Sequence, residues 1–136
     1  MKLQEKIKTE ISGLKSKTRS FFAKDYFKSA IALWLIILSL AVNLVDWIIL
    51  EIFIKPADFP IILHYNVYFG VDMMGNYKLV FLLPLIGLSL FLVNFFLSVY
   101  FYHRKERIAS YLLLMATLMI QLSLFVSILS VIIINY

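Results

Sequence analysis

His64, Asn66 and Asp72 are the residues of this 136-residue chain best equipped for chemistry, because they bring an imidazole, an amide and a carboxylate into one short stretch. Imidazole and carboxylate are suitable donors for zinc and similar ions. A His and an Asp also suit proton transfer. Neither use is complete here. One His and one carboxylate are too few for a metal site, so Asp58, Asp46 or a second subunit would have to contribute. A covalent mechanism lacks its nucleophile, since the chain has no cysteine and no serine in a nucleophile motif. The expectation is therefore a non-catalytic chain without metal or cofactor, in which His64 and Asn66 hydrogen-bond the backbone of their own loop.

A second set of polar residues, Asn43, Asp46 and Gln121, is embedded in apolar sequence. Ser39, Asn43, Asp46 and Leu50 follow at spacings of four, three and four, which puts them on one helical face. An ionisable residue inside a membrane span is a functional-site candidate by default. At a rise of about 1.5 Å per residue, Asp46 lies about 24 Å from the inner end of its span, close to the outer surface. That depth favours anchoring of the loop or a neighbouring helix by hydrogen bonds over contact with a ligand or ion. Asn43 and Gln121 each lie about thirteen residues into their spans, so they share a depth. An amide pair there is expected to lock two helices, at about 0.6 kcal/mol.

The elements that position these groups follow from composition. Hydrophobic residues make up 62% of the chain, well above the ~45–50% of soluble domains. Three runs, about 30–54, 79–102 and 108–134, reach the ~18–20 residues needed to cross a hydrocarbon core. Roughly 29 mostly polar residues precede the first run, which has full spanning length, so it is read as a retained span. Pro84 and Gly87 fall near the outer end of the second span, where a kink can be accommodated. Ala116, Ser123, Ser127 and Ser130 place small residues on one face of the third, expected to pack against a neighbouring helix. No inverted repeat divides the chain, so the usual transporter signature is missing.

The net charge of +5 is unevenly placed. Residues 1–28 hold eight Lys or Arg, and the HRKER segment at 103–107 holds Arg104, Lys105 and Arg107. Lys and Arg enrich cytoplasmic flanks of spans, so both segments orient the chain with its amino terminus in the cytoplasm. The 55–78 loop and the carboxyl terminus then lie outside. Leu3, Ile7, Ile11 and Leu14 form an apolar stripe flanked by lysines, the pattern of a basic surface helix within 1–28. Its expected partner is the anionic lipid of the inner leaflet rather than nucleic acid. Phe21, Phe22, Tyr26 and Phe27 supply aromatics at interface depth.

The 55–78 loop alternates from Leu63 to Val71 with β-branched and aromatic residues, an extended-strand signal. Pro60, His64, Tyr65, Asn66, Gly70 and Asp72 resemble a bacterial pattern in which proline, histidine, an aromatic, Asn or Asp, glycine and Asp follow the first span. That pattern belongs to a family of small membrane proteins that includes the SdpI-type immunity proteins, which protect producing cells against a secreted killing factor. In this chain three residues separate Pro60 from His64 and one separates Gly70 from Asp72. The resemblance covers about twenty residues and implies a cell-membrane protein with an extracytoplasmic recognition loop, including Tyr68 beside the pattern residues.

The expected fold is an all-α integral membrane protein: a basic amphipathic cytoplasmic helix in 1–28 and a three-span domain over 29–136. The expected function is recognition of, or packing against, an envelope partner through residues 60–78. Three helices bury little of their own surface, so a homo-oligomer or a hetero-complex with another membrane or envelope protein is expected. The alternative is a small transporter or channel subunit that uses the polar face of the first span.

Overall fold

A computed structural model describes Ile7, residues 11–13 and residues 25–136. Helix α1 (Ala30–Phe53) leads into a hairpin of strands β1 (Ile61–Asn66) and β2 (Gly70–Gly75), followed by helices α2 (Leu82–His103) and α3 (Arg107–Asn135). Short 3-10 turns at Asp25–Lys28 and Tyr77–Phe81 precede α1 and α2. All three helices are long and apolar enough to cross a membrane. Ile7 and residues 11–13 are helical, with Ile7 and Ile11 exposed. Leu3, Leu14, Phe21 and Phe22, on which the expected surface helix and part of its aromatic belt depend, lie outside the described residues.

Local chemistry sets the helix ends. Ser29 caps α1 by accepting a hydrogen bond from the Ala32 amide, satisfying one of the orphan donors of a helix start. Pro56 then disfavours continued helix beyond the Ile54 cap. Pro84 is the third residue of α2. Its missing N–H is one that a first helical turn leaves unpaired anyway, so no kink is needed to accommodate it. Between α2 and α3 the chain reverses through Arg104, Lys105 and Glu106. Lys105 takes a left-handed φ of 65°, and its amide returns to Tyr102 O at 3.1 Å.

Helix α3 packs extensively on both α1 and α2, which meet each other less. The faces they bury are narrow and rich in small or polar residues. Ser39, Asn43, Asp46 and Leu50 turn inward from α1, Pro84, Gly87, Phe91 and Ser98 from α2, and Ser110, Leu114, Thr117, Gln121 and Ile128 from α3. The outward faces carry Trp34, Leu44, Leu92, Phe96, Met119 and Val126. A soluble bundle has the opposite arrangement, with its large apolar residues inside. Ala116, Ser123, Ser127 and Ser130 are exposed, so the small-residue face expected to pack against a neighbouring helix is not buried against α1 or α2 and points outward. The buried face of α3 lies elsewhere on the helix.

Two apolar clusters close the bundle. At the hairpin end, Leu50, Ile54, Ile61, Val80, Ile128, Val131 and Ile132 pack together. At the other end, Tyr26, Ala32, Val99, Tyr102 and Leu114 do so. Tyr26 is fully buried, edge-on to Tyr102 with ring centroids 5.2 Å apart, and its hydroxyl lies 3.0 Å from Ser98 Oγ. It fills the bundle end instead of sitting with interfacial aromatics. Burial holds its phenol above the ordinary tyrosine value, and the Ser98 hydrogen bond opposes that shift in part.

Candidate functional site

Residues 61–75 form an antiparallel hairpin, so the alternating run read from Leu63 to Val71 is broken midway. The break has two local causes. Asn66 Oδ1 accepts a hydrogen bond from the Tyr68 amide at 2.9 Å, the side-chain turn that asparagine favours. Gly70 then takes a φ of 76°, which suits the left-handed position closing a three-residue hairpin loop. Val67, Tyr68 and Phe69 therefore form the tip. They are 85%, 91% and 84% exposed, so three consecutive large side chains stand clear of the rest of the chain.

Two irregularities in the pairing lie between Ile62 and His64 and between His64 and Tyr65. Such bulges re-aim side chains. Here His64 Nδ1 meets Asp72 Oδ1 across the strands at 2.7 Å, with the two side chains 63% and 41% exposed. His64 thus bonds a side chain and not the loop backbone expected for it. An exposed pair of this kind contributes about 0–1 kcal/mol, enough to bias the register of two short strands. Among the described residues, no three His, Cys, Asp or Glu side chains come together as a metal-binding group. His64 and Asp72 therefore meet without Asp58 or Asp46 as a third donor.

The hairpin is fastened at its base. Asn135, near the end of α3, accepts a hydrogen bond from Ile62 N at 2.8 Å and donates to Ile62 O at 2.7 Å. One amide side chain so occupies both backbone groups of a strand residue, as a neighbouring strand would. Ile61 adds apolar contact by packing into the cluster with Leu50, Val80 and Ile128. Sequence reasoning missed Asn135. The available signal was an amide at the end of an otherwise apolar helix, but its partner lies 73 residues away.

Within the bundle, Asn43 and Gln121 do meet. Asn43 Nδ2 donates to Gln121 Oε1 at 3.2 Å and to Pro84 O at 2.9 Å, and Gln121 Nε2 donates to Gly87 O at 2.9 Å. Three helices are joined at one level. Gly87 makes the crossing feasible, since a Cβ there would lie 2.8 Å from Gln121 Oε1 and 3.2 Å from Asn43 Nδ2. Further rungs toward the other end join Asn94 to Thr117 at 3.0 Å and Ser98 to Ser110 at 2.7 Å.

Asp46 is the exception. It is fully buried, and neither carboxylate oxygen has a hydrogen-bond partner among the described residues. The expected anchoring bonds to the loop or a neighbouring helix are not formed. An unpartnered buried carboxylate is costly, so this position is the least satisfied point of the bundle. The hairpin thus offers an exposed apolar contact surface on a fastened base, and Asp46 offers an unused polar group inside.

Comparisons of the chain with protein-family models, with curated proteins and with solved structures find no match.

Proposed function

We propose that this chain is a non-catalytic, multi-pass protein of a bacterial cell membrane that recognises, or packs against, an envelope partner through its hairpin. Membrane residence is supported by three long apolar helices whose exposed faces are greasier than the faces they bury. The charge asymmetry between residues 1–28 with 103–107 and residues 55–78 supports a cytoplasmic amino terminus, with the hairpin and carboxyl terminus on the far side. Labelling of single cysteines at Ser16 and Asn76 should report opposite sides, and labelling of both from outside would refute this topology.

The observation that carries the functional reading is the tip. Val67, Tyr68 and Phe69 are nearly fully exposed while the strands behind them are held by the Asn135 clamp and the His64–Asp72 pair. Aromatic residues displayed on a held scaffold are favourable anchors for protein contact, because little freedom is lost on binding. The SdpI-type resemblance brings in a secreted killing factor as one partner class. A second membrane subunit is the other. Crosslinking in native membranes from residues 60–78 is the test: His64→Ala and Tyr68→Ala should each weaken a discrete adduct, and an unchanged adduct pattern would overturn the reading.

A second reading, a small transporter or channel subunit, draws support from Asp46, whose buried carboxylate has no hydrogen-bond partner among the described residues. Flux into proteoliposomes should fall with Asp46→Asn if Asp46 serves a pathway. Equal background leakage of wild type and variant would remove that reading.

A further inference from the structure

A pocket of about 640 Å³ opens beneath the hairpin, between it and the adjoining ends of α2 and α3. Leu63, Met73, Leu82, Val131 and Ile134 give it apolar walls, and His64 and Tyr65 bring polar groups to it from the hairpin. Ser127 and Ser130 also line it. The Ser127 hydroxyl is already spent on Ser123 O at 3.0 Å, so it demands no polar partner from an occupant. Leu63 and Leu79 meet over Gly75, where a Cβ would lie 2.7 Å and 2.9 Å from their methyl carbons. This close fit draws the hairpin base down over the pocket.

We infer that the pocket binds one bilayer phospholipid, with an acyl chain along the α2–α3 groove and its phosphate-bearing headgroup at His64. Three features select this ligand. The volume is that of a ligand site, which typically spans ~300–1,000 Å³. The walls belong to the ends of two helices apolar enough to span a membrane, which places the pocket at leaflet depth, where acyl chains are the abundant apolar matter. The rim supplies the polar contact a headgroup needs: Asp72 holds His64 Nδ1 at 2.7 Å and leaves Nε2 available to a phosphate oxygen when the imidazole is protonated. Each methylene in the groove then contributes through dispersion contacts to the extent that it is better packed than in bulk lipid. The inference rests on the membrane reading above and is independent of what the hairpin tip touches.

Native mass spectrometry of the protein released from membranes containing palmitoyl-oleoyl phosphatidylglycerol tests it. Wild type should retain one phospholipid per chain through detergent exchange. Ser130→Phe, which projects a ring into the pocket, should lower the retained fraction at least fivefold. Ser123→Phe, an exposed position on the same helix outside the lining, should leave retention unchanged. His64→Ala should abolish any preference for the phospholipid over diacylglycerol with the same chains. Retention equal in wild type and Ser130→Phe, or lowered as far by Ser123→Phe as by Ser130→Phe, would overturn the site. A preference unaltered by His64→Ala would overturn the headgroup assignment. Should Ser130→Phe fold poorly, thermal melting of wild type decides: added phospholipid should raise its midpoint, and no rise would refute binding.

Discussion

Replacing Gly87 with alanine adds one methyl group at the point where three helices exchange hydrogen bonds. The new Cβ would stand 2.8 Å from both Gln121 Oε1 and Leu124 Cδ1 and 3.2 Å from Asn43 Nδ2. Leu124 can turn aside, but the two amides are fixed by their own bonds to Pro84 O and Gly87 O. Breaking those and the Asn43–Gln121 contact removes about 2 kcal/mol at ~0.6 kcal/mol per interhelical bond. Overpacking adds about 1–3 kcal/mol, and alanine's better helix propensity returns about 1 kcal/mol. The expected net loss is about 2–4 kcal/mol. Reversible unfolding in mixed micelles with increasing dodecyl sulfate, followed by fluorescence of the two tryptophans, would measure it. Adding Gln121→Ala should cost less in the Gly87→Ala background than in wild type, because the side chain that the methyl strikes is then gone. A Gly87→Ala protein as stable as wild type, or more so, would refute close approach of the helices at this level.

Other perturbations probe the remaining parts. Asp46→Leu should stabilise the fold by about 1–3 kcal/mol in the same titration, since an unsatisfied buried carboxylate is exchanged for an apolar group of similar size; a loss above ~1 kcal/mol would reveal a partner for Asp46. Asn135→Ala removes two hydrogen bonds to Ile62, about 2 kcal/mol in all, so amide exchange across 61–75 should accelerate about tenfold or more while the helices stay protected. Unchanged exchange there would contradict the clamp. Tyr26 gives a pH signature. Its raised phenol value means that its contribution to stability is complete below the ordinary value of about 10 and is lost as pH rises through the folded value. Alkaline denaturation should therefore be shallower in Tyr26→Phe, and identical profiles would contradict burial of the phenol.

The spans were legible because long apolar runs leave few alternatives, and the helix ends fall within a few residues of the runs read from sequence. The inward face of α1 was legible too, since Ser39, Asn43 and Asp46 are the polar exceptions in an apolar helix before the exposed Glu51 near its end. The meeting of Asn43 with Gln121 followed from equal depth. The buried face of α3 was not legible. Its apolar residues lie all round, so amphipathic contrast is weak, and the conspicuous face of Ala116, Ser123, Ser127 and Ser130 turned outward while Ser110, Thr117 and Gln121 turned in. The hairpin was half legible. Strand propensity was visible, but Val67, Tyr68 and Phe69 read as strand on type alone, and only the Asn66 turn with the left-handed Gly70 makes them a tip. The Asn135 clamp depends on tertiary contact with Ile62 and has no local signature.

The most direct measurement of hairpin recognition places a photoactivatable side chain in turn at Val67, Tyr68 and Phe69, with Phe96, an outward residue of α2, as the lipid-facing control. After irradiation of intact membranes, adducts are resolved by mass. The expected result is a discrete protein adduct from the tip positions and lipid adducts alone from Phe96. Lipid adducts alone from all four positions would contradict recognition by the hairpin.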